Sequence, residues 1–221
     1  MLRLLITFEL LLMTTFAWSQ EQVTQDPQAG QILDRAAQKA KSMKSLQADF
    51  TLVIEDRKEK SRNTSAGNLL VSQNKYKITS EKSVIFFNGK TMWTYLPDNN
   101  EVTITEPMNQ ADDFMSNPAL FFTLYQRDFK YRYVQETAVN GTRCHEIDLF
   151  PRNLNQPYSR IKVYISVQSS LPEIITSVGK DGVDYTVYLK NLILDREVNP
   201  STFTFDPAKY KKVEVVDMRG L

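Results

Sequence analysis

Leu46-Gln47-Ala48-Asp49-Phe50-Thr51-Leu52-Val53-Ile54 decides the fold class, because in it the apolar period changes from helical to alternating. Leu46, Ala48, Phe50, Leu52 and Ile54 alternate with more polar neighbours. Successive side chains of a strand point to opposite faces, so these five share one face of a half-buried strand. On the N-terminal side the spacing differs. Ile32, Leu33, Ala36, Ala37, Ala40 and Met43 recur at helical intervals, with Lys39, Lys41 and Lys44 between them. That stripe predicts an amphipathic helix over about Ala29 to Ser45, with one side to bury.

C-terminal to the decisive stretch, short apolar runs and turn signals follow one another. A polar turn is expected over Arg57 to Ser65, and Gly67-Asn68-Leu69 begins the next strand. Further strands are read at Tyr76-Lys77-Ile78, Ser83 to Phe87, Thr91 to Leu96 and Glu101 to Thr105. Asn88-Gly89 and Asn140-Gly141 have the composition of type I′ hairpin turns, in which both central residues need positive φ. Between Pro107 and Arg127 the alternation stops. Phe114, Met115, Leu120, Phe121, Phe122, Leu124 and Tyr125 form an apolar block behind Asp112-Asp113. Acidic residues favour a helix N-terminus, so one or two short helices are predicted. Strands resume at Phe129 to Glu136, Thr142 to Phe150, Arg160 to Val167, Glu173 to Val178 and Val183 to Leu194. Phe203-Thr204-Phe205 is a last alternating piece before Val213 to Arg219. One helix, a long antiparallel run and a helical insert predict an α+β fold built on a single highly curved antiparallel sheet.

The chain has 221 residues, 42% of them hydrophobic, with 12 Phe and 10 Tyr that suit a pleated surface. Arg3, the apolar run headed by Leu10-Leu11-Leu12-Met13, and Ala17-Trp18-Ser19 read as a secretory signal over residues 1–19, leaving one domain over 20–221. The charges nearly cancel, 27 Lys+Arg against 26 Asp+Glu, which argues against a nucleic-acid partner. The single cysteine, Cys144, excludes an intramolecular disulfide, and no cysteine follows the small residues of the signal to take a lipid.

Catalytic material is sparse. Cys144 and the single histidine, His145, are neighbours in an expected strand and so point to opposite faces. There is no metal-ligand spacing and no glycine-rich phosphate loop among only 7 glycines. A pair of carboxylates would suffice for a hydrolase, so that class stays open as a minor alternative.

Several segments, in order, resemble the LolA family of outer-membrane lipoprotein carriers. They are Ser45-Leu46-Gln47-Ala48-Asp49-Phe50 after the helix, Gly67-Asn68-Leu69, Phe87-Asn88-Gly89-Lys90-Thr91-Met92-Trp93-Thr94-Tyr95-Leu96-Pro97, Phe203-Thr204-Phe205 and Val215-Val216-Asp217-Met218-Arg219. The resemblance implies an incomplete, half-open β-barrel whose concave face is covered by the N-terminal helix and short lid helices. It implies a periplasmic, non-enzymatic carrier without a cofactor, acting as a monomer. The carrier would take acylated lipoproteins from an inner-membrane ABC-type complex and deliver them to an outer-membrane acceptor. Acyl chains are then expected against Ala48, Phe50, Leu52, Ile54, Trp93, Tyr95, Phe114, Met115, Leu120, Phe121 and Leu124. After the second strand the sequence departs from the family. Where many relatives carry a basic residue and a proline after the second strand, it reads Ser72-Gln73-Asn74, without the arginine that latches the lid. A lipid-sensing regulatory domain of related fold is the alternative reading.

Overall fold

A computed structural model describes residues 25–106 and 121–220 of the chain. The expected signal segment lies outside the described residues.

Helix α1 spans Pro27–Ser42. It begins at Asp26, whose carboxylate accepts from the Gln28 and Ala29 backbone N–H groups at 2.8 and 3.2 Å, with Pro27 in the first turn. Ala29, Ile32, Leu33, Ala36 and Ala37 form its buried stripe. The helix stops three residues before the expected Ser45. Met43 is already extended and caps the last turn, and Lys44 and Ser45 serve as the lead into the sheet.

The strands that follow are β1 (Leu46–Asp56), β2 (Ser61–Ser72), β3 (Lys75–Ser80), β4 (Val84–Phe87), β5 (Met92–Leu96) and β6 (Glu101–Thr105). Helix α2 (Phe121–Asp128) runs into β7 (Phe129–Val139), then β8 (Thr142–Pro151), β9 (Tyr158–Ser166), β10 (Pro172–Gly179), β11 (Val183–Leu194) and the short β12 (Glu214–Asp217). They form one 12-stranded sheet in the order β12-β6-β5-β4-β3-β2-β1-β11-β10-β9-β8-β7. Two antiparallel meanders are thus joined by the pairing of β1 with β11. The end strands β12 and β7 do not pair, so the sheet stays open. Register shifts at Gln47/Asp49, at Tyr133/Gln135 and at Pro172/Ile174 mark where the ladders are offset and the strands bend.

Three expectations are corrected. First, β2 starts at Ser61, not after the polar stretch. The backbone of six exposed residues continues the ladder opposite Asp56 to Thr51, because ladder hydrogen bonds need no apolar side chain. Second, Asn140-Gly141 makes the expected tight turn, with φ of 48° and 83°, but Asn88-Gly89 does not. Asn88 is not in the left-handed region; its side chain accepts from the Lys90 and Thr91 N–H groups within a four-residue loop. Third, Phe203-Thr204-Phe205 is no strand. Pro200–Phe203 is a 3-10 turn capped by Asn199, and it carries Phe203 and Phe205 onto the sheet, both buried. The last strand, β12, pairs parallel to β6, the one parallel pair among the described strands.

The two faces of the sheet are packed by different parts of the chain. On the inner face α1 lies across β7 to β10: its apolar stripe packs with Ile147, Leu149, Ile161, Val163, Ile165, Phe129 and Tyr125. On the outer face the segment after β11 covers β4 to β6, where Phe205 packs with Phe86, Val102, Trp93 and Tyr95. Tyr125 and Gln126 of α2 donate to the Asp34 carboxylate of α1, the latter at 2.8 Å, fixing the two helices together.

Candidate functional site

Paired residues in a ladder lie on the same face, so the register carries the helix-bearing side from strand to strand. Ile147 and Val163, which touch α1, pair with one another, and Val163 pairs with Ile175. Ile175 pairs with Val187, and Val187 with Leu52. Ala48, Phe50, Leu52 and Ile54 therefore lie on the inner face. From β1 the same face continues through Leu69 and Val71 of β2, Tyr76 and Ile78 of β3, and Ile85 and Phe87 of β4. No residue of this set is charged. The opposite side of β1 presents Gln47, Asp49 and Glu55.

Two parts of the inner face differ in packing. Under α1, Ile147, Ile161 and Val163 are fully buried. Beyond the helix, Phe50, Leu52, Ile54, Val71, Ile78, Ile85 and Val187 are only half-buried, so the apolar surface continues past the core that α1 fills. Gly67 shapes this surface. A Cβ there would sit 2.3 Å from the Thr79 carbonyl oxygen and 2.5 Å from the Phe50 ring, so only glycine lets Phe50 lie flat across β2. The rings of Tyr76 and Phe87 pack at 5.0 Å between centres, and burial pushes the Tyr76 phenol up to about 12.

Trp93 and Tyr95 are not part of this surface, contrary to expectation. Trp93 pairs with Phe86 and Tyr95 with Val84, on the outer face. Tyr95 packs there on Tyr210 at 4.5 Å and on Phe205 at 5.7 Å between ring centres. The spacing that put both rings on one side of β5 was legible; which side depended on the register. Phe114, Met115 and Leu120 lie outside the described residues, and Phe121 and Leu124 lie in α2. Ser72-Gln73-Asn74 forms the end of β2 and the turn into β3, with Gln73 at φ 56°. The Ser72 hydroxyl donates to the Lys44 carbonyl at 2.9 Å and fastens this turn to the α1–β1 connection.

Sequence reasoning missed Val187 and Ile175, which face Leu52 only through pairing across more than a hundred residues. It also missed Glu173, which sits at the bulge between Pro172 and Ile174 and is the one charged residue of β10. Cys144 and His145 point to opposite sides, as alternation requires. The Cys144 thiol is pushed up to about 11 by burial and by the Glu173 charge, so it stays protonated and unreactive at neutral pH. Burial holds His145 below its usual range, against the opposing charge of Glu136. On the outer face, Glu146 and Asp148 are buried at 5% and 2% exposure under Lys162, Arg132 and Arg160, an ion-pair network that covers the back of β8. Among the described residues no group of three or more His, Cys, Asp or Glu is placed to hold a metal ion, and no helix is long and apolar enough to cross a membrane.

A family model described as outer membrane lipoprotein carrier protein LolA matches residues 41–206, more than half of the chain. Among solved structures the chain is similar to an uncharacterized conserved protein from Thermus thermophilus, with 13% identity and a TM-score of 0.57 over 86% of this chain and 99% of that one. It is also similar to a LolA superfamily protein from Nitrosomonas europaea, with 11% identity and a TM-score of 0.44 over 80% and 98% of the two chains. A third likeness is to the lipoprotein LppX of Mycobacterium tuberculosis, with 11% identity and a TM-score of 0.48 over 79% and 98%. No curated protein matches the chain. At these identities the structural likenesses concern the fold.

Proposed function

This chain belongs to the LolA family, and from that premise we propose that it is a soluble periplasmic carrier that holds the acyl chains of lipoproteins against its inner face. In this reading it receives them from an inner-membrane ABC-type complex, releases them to an outer-membrane acceptor, and catalyses nothing. One observation carries the proposal. On the inner face of β1 to β4, Phe50, Leu52, Ile54, Val71, Ile78 and Ile85 form an apolar, half-buried surface beyond the edge of α1, and the one charged residue of that face, Asp56, stands at the far end of β1. Acyl chains need such a surface, since each methylene removed from water gains about 0.8 kcal/mol.

Release needs the opposite property. Several fully enclosed chains would bind too tightly to be handed on, so part of the gain must be offset by ordering costs. An open sheet, whose end strands do not pair, suits a cradle that gives incomplete enclosure.

The test uses the mature chain with inner-membrane vesicles that hold a triacylated lipoprotein and an active ABC-type extraction complex. The expected result is a soluble complex of the chain with the lipoprotein. Leu52→Asp places a charge in the middle of the apolar surface and is expected to lose that complex while keeping its circular dichroism spectrum. A wild-type chain that solubilises nothing, where an authentic carrier succeeds, overturns the proposal. So does a folded Leu52→Asp variant that carries normally.

A further inference from the structure

At the end of the sheet where α1 runs into β1, an open recess of about 710 Å³ lies beside Leu171, Leu189, Leu192 and Leu194. It is continuous with the surface described above, because Leu189 lines it and pairs directly with Phe50. Glu173 also lines it. This residue precedes Ile175 by two on β10 and sits at the bulge between Pro172 and Ile174.

The Glu173 carboxylate is partly buried, yet among the described residues no hydrogen bond or ion pair reaches it. Burial alone raises its pKa, with nothing to compensate. Other acids of this sheet are treated differently. Glu146 accepts from Gln135, Lys162 and Tyr164, and Oδ2 of Asp148 is held by two arginines. Lys190 lines the pocket as well but makes no ion pair with Glu173; its pairing partner Asp49 lies on the outer side. A partly buried carboxylate that no protein group engages is open to an arriving cation.

We propose that Glu173 receives the ammonium group of an acylated amphiphile whose chains lie along Leu189 and Phe50. The assignment rests on the reading of the inner face as an acyl-binding surface and adds a headgroup preference to it. The ammonium has two possible sources: the ethanolamine of a phospholipid, or a free amine beside the acylated residue of a lipopeptide. The chemistry recognised is the same.

The experiment measures displacement of a fluorescent fatty-acid probe from the mature chain by dodecylammonium and by dodecanol, for wild type and Glu173→Gln. A charge-assisted hydrogen bond predicts that wild type prefers the ammonium by roughly tenfold to a hundredfold. Glu173→Gln is expected to lose that preference and keep its affinity for dodecanol. Two further arms separate the sources. Preference for phosphatidylethanolamine over phosphatidylglycerol assigns the phospholipid, and preference for a diacylated peptide with a free amine over its acetylated form assigns the lipopeptide. Equal binding of ammonium and alcohol by wild type overturns the assignment and leaves the acyl surface standing, as does a preference that survives in Glu173→Gln. Failure of wild type to bind either dodecyl probe overturns both.

Discussion

Glu173 and Glu146 show how two glutamates of one sheet acquire opposite effects on stability. Glu173, in the recess at the end of β11, is raised by burial alone. Its folded form holds a proton more tightly than the unfolded chain does. It therefore contributes stability below the ordinary glutamate value, and that contribution is lost as pH rises through the raised folded value. Glu146, on the outer face, is also raised by burial, but hydrogen bonds from Gln135, Lys162 and Tyr164 and the Lys162 charge outweigh this and leave it lowered. Its contribution is present above the ordinary value and is lost as pH falls through the lowered folded value. Urea midpoints of Glu173→Gln and Glu146→Gln, taken at about pH 4 and about pH 7, measure both effects. Relative to wild type, Glu173→Gln is expected to gain between the lower and the higher pH, and Glu146→Gln to lose. The same direction for both variants would show that the difference between the two surroundings does not govern their titration.

The junction of α1 with β7 shows an element held by one side chain in two roles. One Asp26 oxygen caps the first turn of α1, and the other accepts from the Tyr133 N–H at 3.0 Å, just before the Tyr133/Gln135 bulge. Asp26→Ala removes both. A lost cap costs roughly 0.5–2 kcal/mol, and the Tyr133 N–H left unpaired adds about 1 kcal/mol. A drop of the urea midpoint and faster amide exchange at Tyr133 are the expected signs; an unchanged Tyr133 amide would deny the second role. Elements of this kind were legible to different degrees. The α1 stripe and the alternation of β1, β6 and β11 could be read directly, because each is a local period set by residues that bury one side. The cap at Asp26 and the bulges were not, since they depend on partners far along the chain. The same limit explains Trp93 and Tyr95. Their shared side was local information, whereas its identity as the outer side came from pairing with Phe86 and Val84 and from the arrival of Phe205 and Tyr210. The polar start of β2 was misread because its side chains are all exposed and only its backbone is engaged.

Across the whole molecule, one continuous apolar face is packed in two ways, divided where α1 ends its cover. Leu33 is fully buried between the helix and the sheet, whereas Leu52 lies on the half-buried extension of the same face. If that division separates core from cradle, equal truncations should have unequal effects. Leu33→Ala deletes packed methylenes and leaves a cavity, at a cost of roughly 2–5 kcal/mol in unfolding free energy. Leu52→Ala gives up burial that is only partial, and about 1 kcal/mol is expected. For acyl binding the order reverses. Leu52→Ala removes contact surface and should weaken a dodecyl probe roughly tenfold, about 1.4 kcal/mol, while the folded Leu33→Ala variant binds nearly as wild type. Urea unfolding and probe titration on the same two variants decide the matter. Should Leu52→Ala destabilise as much as Leu33→Ala and leave binding untouched, the inner face is core throughout, and the room for acyl chains must be sought elsewhere in the molecule.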